Sequence, residues 1–326
     1  MSDNILVIQP LPGIGDALWF LPHLVALRRH YPNDALTLLT KPSSKADDVL
    51  GETISLDHII WLQRDSGKHK GLRGFFSLVG ELKKQNFSVA WLLHKSPRYA
   101  LAAKLAGIKT IYGYGQSFSR FLVKSPVLTI EEQRRHPIEQ ATLLLKHHGI
   151  TVDPMTCLKI LPKFQKNLRQ EYGLKAKDKI LVLGIGGSEV YKKWPAASFA
   201  SVATQYHTKG YRIFILGGAQ EKREALLIAA MVEEQGGAAT AVFHLSIQES
   251  FALLSLATLF IGNDTGMLNG AALLNVPTFG LFAKTHPLAY RPNLHPLTPP
   301  LSVLEPSVGD ITVDQVMGAS HSIISK

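Results

Sequence analysis

The chain of 326 residues contains one cysteine, Cys157. A single thiol can build neither an intrachain disulfide framework nor a structural zinc site, and it suits a reducing compartment. Charged residues are scarce, at 18%, against 46% apolar ones, so the composition is that of an ordinary globular protein and excludes a disordered or supercharged chain. Long hydrophobic runs are missing as well. None approaches the ~20 residues of a membrane-spanning helix, and the opening MSDN leads into a strand-like run without the basic and long apolar regions of a signal peptide. No repeat of solenoid period and no low-complexity tract occurs. These absences predict a soluble, cytoplasmic protein, at most peripheral to a membrane.

Acidic residues are in deficit. Lys and Arg number 35 and Asp and Glu 25, for a net charge of +10, which favours an anionic partner. The basic residues are scattered, with short clusters at Lys68-His69-Lys70, Lys83-Lys84, Arg134-Arg135 and Lys192-Lys193. None is interleaved with aromatics in a nucleic-acid motif, so no nucleic-acid partner is expected.

Short runs rich in Val, Ile and Leu alternate with longer helical patterns. The runs are Ile5–Ile8, Leu36–Leu39, His58–Leu62, Val89–Leu93 and Thr110–Tyr112, then Ile180–Leu183, Tyr211–Leu216, Leu259–Ile261 and Thr278–Phe282. Continuous apolar strands between helices indicate parallel sheets covered on both faces, an α/β doubly wound architecture. The polar, proline-marked and strand-poor stretch 150–178 separates the two series. Two Rossmann-like domains facing a cleft are expected, spanning 1–160 and 161–326, with a closing helix over 311–324 behind a proline-rich loop.

Three loops follow strands and carry chemistry. In the first, Pro12-Gly13-Ile14-Gly15-Asp16, Gly-x-Gly resembles the start of a dinucleotide fingerprint, but Leu18 fills the third glycine position and the second strand ends Leu39-Thr40-Lys41 without the ribose-binding acid. A nicotinamide enzyme is disfavoured. Asp16 has two readings, a helix N-cap or a carboxylate serving as general base. The second loop, Gly184-Ile185-Gly186-Gly187-Ser188 followed by Tyr191-Lys192-Lys193-Trp194-Pro195, offers close backbone approach, a hydroxyl and paired ammonium groups to an anion. A glycine turn with a solvated lysine pair reads the same way, and Trp194 is equally suited to core packing. Pro195 fits the first position of a helix. The third, Gly262-Asn263-Asp264-Thr265-Gly266, ends a strand and opens a small-residue helix, so free N–H groups and the positive helix end face whatever binds there. Capping by Asp264 or Thr265 is compatible with such a site.

In this order and spacing the loops resemble glycosyltransferase family 9, the heptosyltransferases of lipopolysaccharide core assembly. The matching segments are Gly15-Asp16 with Leu21-Pro22, Gly187-Ser188 with Lys192-Lys193-Trp194-Pro195, Gly217-Gly218-Ala219-Gln220-Glu221, and Asp264-Thr265-Gly266. The resemblance implies a GT-B fold, an N-terminal domain for the acceptor, a C-terminal domain for a nucleotide sugar, typically ADP-heptose, and inverting transfer with no metal or other cofactor. It casts Asp16 as the base, Ser188 and Lys192 as phosphate ligands, and Glu221 as the nucleoside contact. Asp264, Thr265 and Gly266 become the sugar and diphosphate loop. Where the family usually carries His, this chain has Asn269, which donates a hydrogen bond but cannot become cationic; Lys284 or His286 would restore positive character nearby. For the acceptor, His94, Lys95, Ser96 and Arg98 follow the strand ending at Leu93, and Arg120, Arg134, Arg135 and His136 extend a basic lining for an anionic glycolipid or glycan. A solvated surface is the competing reading for Arg134 and Arg135. Such an acceptor implies peripheral contact with the inner membrane. The alternative function is a GT-B protein that binds a nucleotide sugar, including a UDP-sugar, with altered or lost transfer.

Overall fold

The computed structural model describes residues 3–65, 67–284 and 290–324. It divides into two compact units, Met1–Thr156 and Cys157–Lys326. The first contains β1 (Asn4–Ile8), α1 (Ile14–His30), β2 (Ala35–Thr40), α2 (Ala46–Leu50), β3 (His58–Trp61), α3 (Gly71–Lys84), β4 (Val89–Leu92), α4 (Pro97–Leu105), β5 (Thr110–Gly113) and α5 (Pro137–His147). The second contains α6 (Pro162–Glu171), β6 (Lys179–Gly184), α7 (Ala196–His207), β7 (Tyr211–Leu216), α8 (Lys222–Glu234), β8 (Ala239–Val242), α9 (Ile247–Ser255), β9 (Leu259–Asn263), α10 (Gly266–Leu273), β10 (Thr278–Leu281), β11 (Leu294–Leu297) and α11 (Val313–Ile324).

Each unit is a parallel sheet wound in both directions. Strand order is β3-β2-β1-β4-β5 in the first and β11-β10-β9-β6-β7-β8 in the second, the Rossmann arrangement in which winding reverses beside the first strand. The strands at the reversals, β1 and β6, are buried on both faces along nearly their whole length, which is why they read as unbroken apolar runs. In the first unit Leu6, Ile8 and Leu39 pack with Leu78 and Leu82 of α3 and Ala100 and Ala103 of α4. In the second, Leu181, Leu183 and Ile213 pack with Phe199 and Val202 of α7, Ile228 of α8 and Val316 of α11. The Tyr206 hydroxyl donates to Ser320 Oγ at 2.6 Å, fastening α11 to α7. At the second reversal β6 and β9 pass so closely that a Cβ on Gly262 would lie 2.7 Å from the Gly184 carbonyl oxygen.

Several sequence expectations are corrected. Strands β8 and β11 escape the hydrophobic pattern because of their composition: β8 is the short segment Ala-Thr-Ala-Val, and β11 carries His295 and Pro296, the proline tolerated at a sheet edge since its missing N–H faces no neighbour. The strand-poor linker contains a helix, α6. Pro195 is the N-cap of α7 rather than its first helical residue.

In the first unit α1 buries His23 completely against α5, where its Nε2 lies 2.9 Å from Thr142 Oγ1. Burial outweighs the backbone carbonyls of Ile138 and Phe20 and lowers its pKa from 6.5 to about 4. Between those values the unfolded chain holds a proton the folded chain refuses, so stability falls as pH drops from 6.5 toward 4 and is insensitive to this group above 6.5. The full loss is ~3 kcal/mol. Denaturant titrations across this window are expected to show a shallower pH dependence in His23→Gln than in the wild type; equal slopes would contradict the assignment.

Candidate functional site

In the first unit the loops after β1 and β4 emerge side by side, because those strands pair with Ile8 opposite Leu92. The N-cap of α1 is Gly13, extended at φ −96° and ψ 151°, which corrects the reading of Asp16 as the cap itself. Asp16 stands three residues in, and its carboxylate Oδ2 accepts from the Gly13 N–H at 2.8 Å. A Cβ at position 13 would meet that oxygen at 2.8 Å, so glycine lets the carboxylate close back on the loop. An acid in the first helical turn also faces the positive end of the helix. The negative charge at this glycine turn is therefore held by the turn it completes.

Beyond β4, His94 Nδ1 accepts from the Ser96 N–H at 3.0 Å, which leaves the ring proton on Nε2, and the ring packs edge-on to Tyr99. Burial, with help from Arg64 and Lys95, lowers the His94 pKa to about 4. It is a neutral hydrogen-bonding group at physiological pH and adds nothing to a basic lining, contrary to expectation. Positive charge beside it comes from Lys95 and from Arg64, which sequence reasoning passed over because it lies in the short polar loop after β3. Arg98 turns inward: Nη2 donates to the His69 and Gly71 carbonyls at 3.4 and 3.2 Å, and the guanidinium covers the Phe75 ring. Arg120 lies apart on the short helical turn Ser117–Phe121 following β5, its guanidinium over Phe121. Arg134 ends another short turn, and His136 caps α5.

In the second unit two loops converge on one side chain. Asn263, fully buried at the end of β9, donates through Nδ2 to the Ile185 and Gly186 carbonyls, both at 3.0 Å, while its Oδ1 accepts from the Trp194 N–H at 3.1 Å. Trp194 is buried in turn and donates from Nε1 to the Ile311 carbonyl. One amide thus sets the glycine loop, the start of the lysine-tryptophan segment and the Asp264 turn against one another. Asn263 lies within the Gly262–Gly266 motif, and a polar residue closing an apolar strand is its signal in the sequence.

Ser188 is exposed at the tip of the glycine loop. Lys192 lies 3.5 Å from Glu189, and both its ammonium and that of Lys284 approach the Tyr191 ring. Lys284 also pairs with Glu305 at 2.6 Å; His286 lies outside the described residues. The neighbouring Lys193 is engaged differently, with Glu224 at 3.2 Å and Glu221 at 3.8 Å. Glu221 accepts the Gly218 N–H at 3.0 Å and closes the turn after β7. Thr265 is the N-cap of α10. Asn269 lies buried one turn along that helix, its Oδ1 accepting from the Tyr290 hydroxyl at 3.1 Å. Burial pushes the Tyr290 phenol far up, and Asp264 adds to the effect. Asn269 is therefore a held, neutral donor and acceptor, placed by a tyrosine the sequence did not mark.

Among the described residues no cluster of three His, Cys, Asp or Glu could hold a metal ion, and no helix is long and apolar enough to cross a membrane. Two Rossmann-type sheets with glycine-rich, anion-suited loops at the ends of β6 and β9 are the architecture of a GT-B glycosyltransferase. The model of glycosyltransferase family 9 (heptosyltransferase) matches residues 75–304, and the chain belongs to that family. It is 23% identical over 284 residues to lipopolysaccharide heptosyltransferase 3 of Escherichia coli, covering 85% of this chain and 83% of that one. Among solved structures it is similar to a family 9 glycosyl transferase from Veillonella parvula, with a TM-score of 0.80 at 19% identity over 99% of this chain and 97% of the other. It is also similar to the E. coli heptosyltransferase WaaC with ADP-2-deoxy-2-fluoro heptose, with a TM-score of 0.73 at 14% identity over 98% and 99%.

The Asn263 arrangement yields a direct expectation. Asn263→Asp keeps the acceptor for Trp194 but sets a carboxylate against two carbonyls, and each buried group left without a partner costs about 1–3 kcal/mol. Thermal unfolding of this variant should shift down by several degrees; an unchanged transition would show that the two loops do not depend on the amide.

Proposed function

We propose that this family 9 enzyme transfers heptose from ADP-heptose to a hydroxyl of a lipopolysaccharide-core or related glycan, with inversion at the anomeric carbon and without a metal. The observation that carries the reading is the family match over residues 75–304. A neighbour of the same fold, described with an ADP-heptose analogue, and the anion-suited loops at the β6 and β9 ends agree with it.

In this reading Asp16 takes the proton of the acceptor hydroxyl. The freed oxygen forms a bond to the anomeric carbon as the bond from that carbon to the diphosphate oxygen breaks, and ADP departs with the electron pair. Ser188 and Lys192 hold the diphosphate, and Glu221 contacts the nucleoside. Asp264, Thr265, Gly266 and Asn269 bind the sugar and diphosphate, with the first N–H groups of α10 meeting the developing charge. His94, Lys95, Ser96, Arg98 and Arg120 are the acceptor-side residues. His94 and Ser96 act through hydrogen bonds, Lys95 supplies charge, and Arg98 supports the β3–α3 loop. An anionic glycolipid acceptor would bring the protein to the cytoplasmic face of the inner membrane, where net positive charge is favourable.

The Gly13 contact decides which substitution tests the base. Asp16→Asn keeps an oxygen for the Gly13 N–H and removes basicity. It is expected to lower transfer from ADP-heptose at least ~100-fold while calorimetric ADP-heptose affinity and thermal stability stay near wild type; retained turnover would sink the assignment. Asp16→Ala should lose transfer and ~1 kcal/mol of stability as well.

For Lys192→Ala, loss of a charge-assisted hydrogen bond predicts roughly tenfold weaker ADP-heptose binding. Folding stability should not change, because the pair with Glu189 is solvent-screened. Undiminished affinity, or tighter binding of a UDP-sugar than of ADP-heptose by the wild type, would count against the donor assignment.

A further inference from the structure

A recess of about 270 Å³ opens in the first unit between the segment after β2 and the end of β3, lined by Pro42, Lys45, Asp47, Asp48, Trp61 and Gln63. It lies just below the ~300 Å³ at which small-molecule sites begin, room for one sugar ring rather than a chain. Its position follows from the topology. Thr40 pairs with Trp61 at the carboxyl ends of β2 and β3, the edge at which ligands of doubly wound sheets bind. Strand spacing puts β3 ~10 Å from β1, which leads into the Asp16 loop.

The lining has an unusual character for this protein. Trp61, half-buried, offers an aromatic surface, around which stand the exposed side chains of Lys45, Asp47, Asp48 and Gln63. An indole covers the apolar C–H face of a pyranose, carboxylates accept from its hydroxyls, and Lys45 and Gln63 donate to them. Charge selects further. In a chain of net +10, this recess sets two carboxylates against one ammonium, so it repels a phosphate or carboxylate that the rest of the surface attracts.

We infer that the Trp61 recess is a subsite for an uncharged saccharide unit of the acceptor, adjoining the unit that presents its hydroxyl to Asp16. The inference rests on the glycosyltransferase reading, but its test needs neither donor nor turnover. Saturation-transfer NMR on the intact protein, with methyl glycosides of a neutral hexose and heptose, should show contact that Trp61→Ala abolishes and Trp61→Phe retains. Asp47→Asn, at an exposed position, should weaken it severalfold and keeps the test valid should Trp61→Ala fail to fold. The 6-phosphate of the same glycoside should compete poorly. Equal signals from the wild type and the Trp61→Ala and Asp47→Asn variants, or preference for the phosphorylated sugar, would overturn the inference. Calorimetry with ADP-heptose on the same samples reports on the donor loops separately, so loss of the transferase reading and loss of this subsite are distinguishable.

Discussion

The geometry of the loops at the β6 and β9 ends depends on one buried amide. Where winding reverses between β6 and β9, Gly184 and Gly262 bring the two backbones closer than any side chain would permit, and Asn263 uses donors and acceptor together to join both loops and the Trp194 segment. An amide suits this position because it is neutral, so its burial needs only satisfied hydrogen bonds, and it meets carbonyls and an N–H at once. With the scaffold set by Asn263, exposed Ser188 and half-buried Lys192 need not hold the loops together.

The first unit repeats the winding around a different loop. Its loop at the reversal carries an acid, and the local hydrogen bond from Gly13 gives that acid a fixed place beside the positive end of α1. Neutral His94 stands on the adjacent strand end. The two units share a topology.

Net charge is a poor guide at this scale. The excess of basic residues is real, yet several of the relevant cations are engaged: Arg98 by backbone carbonyls and Phe75, Lys193 by Glu221 and Glu224, Lys284 by Glu305. The Trp61 recess runs against the overall sign. Local pairing, which falls off within a few ångströms of screened separation, decides what a surface attracts at contact range.

Residues adjacent in sequence were enough to establish the class of fold and the family: apolar runs buried on both faces announce parallel strands, and glycine turns at their ends announce ligand loops. Asp16, Ser188, Lys192 and the Asp264 turn were visible as candidates for the same reason, since each belongs to the segment that leads from a strand into the next helix. Strands β8 and β11 were not, because Ala-Thr-Ala-Val and Leu-His-Pro-Leu carry no continuous run of large apolar residues. Tertiary structure alone decided that His94 is neutral, that Tyr290 holds Asn269, and that Asn263 joins two loops. Each of these depends on burial or on contacts made when distant segments are packed together, and neither burial nor long-range contact is encoded in the spacing of neighbouring residues.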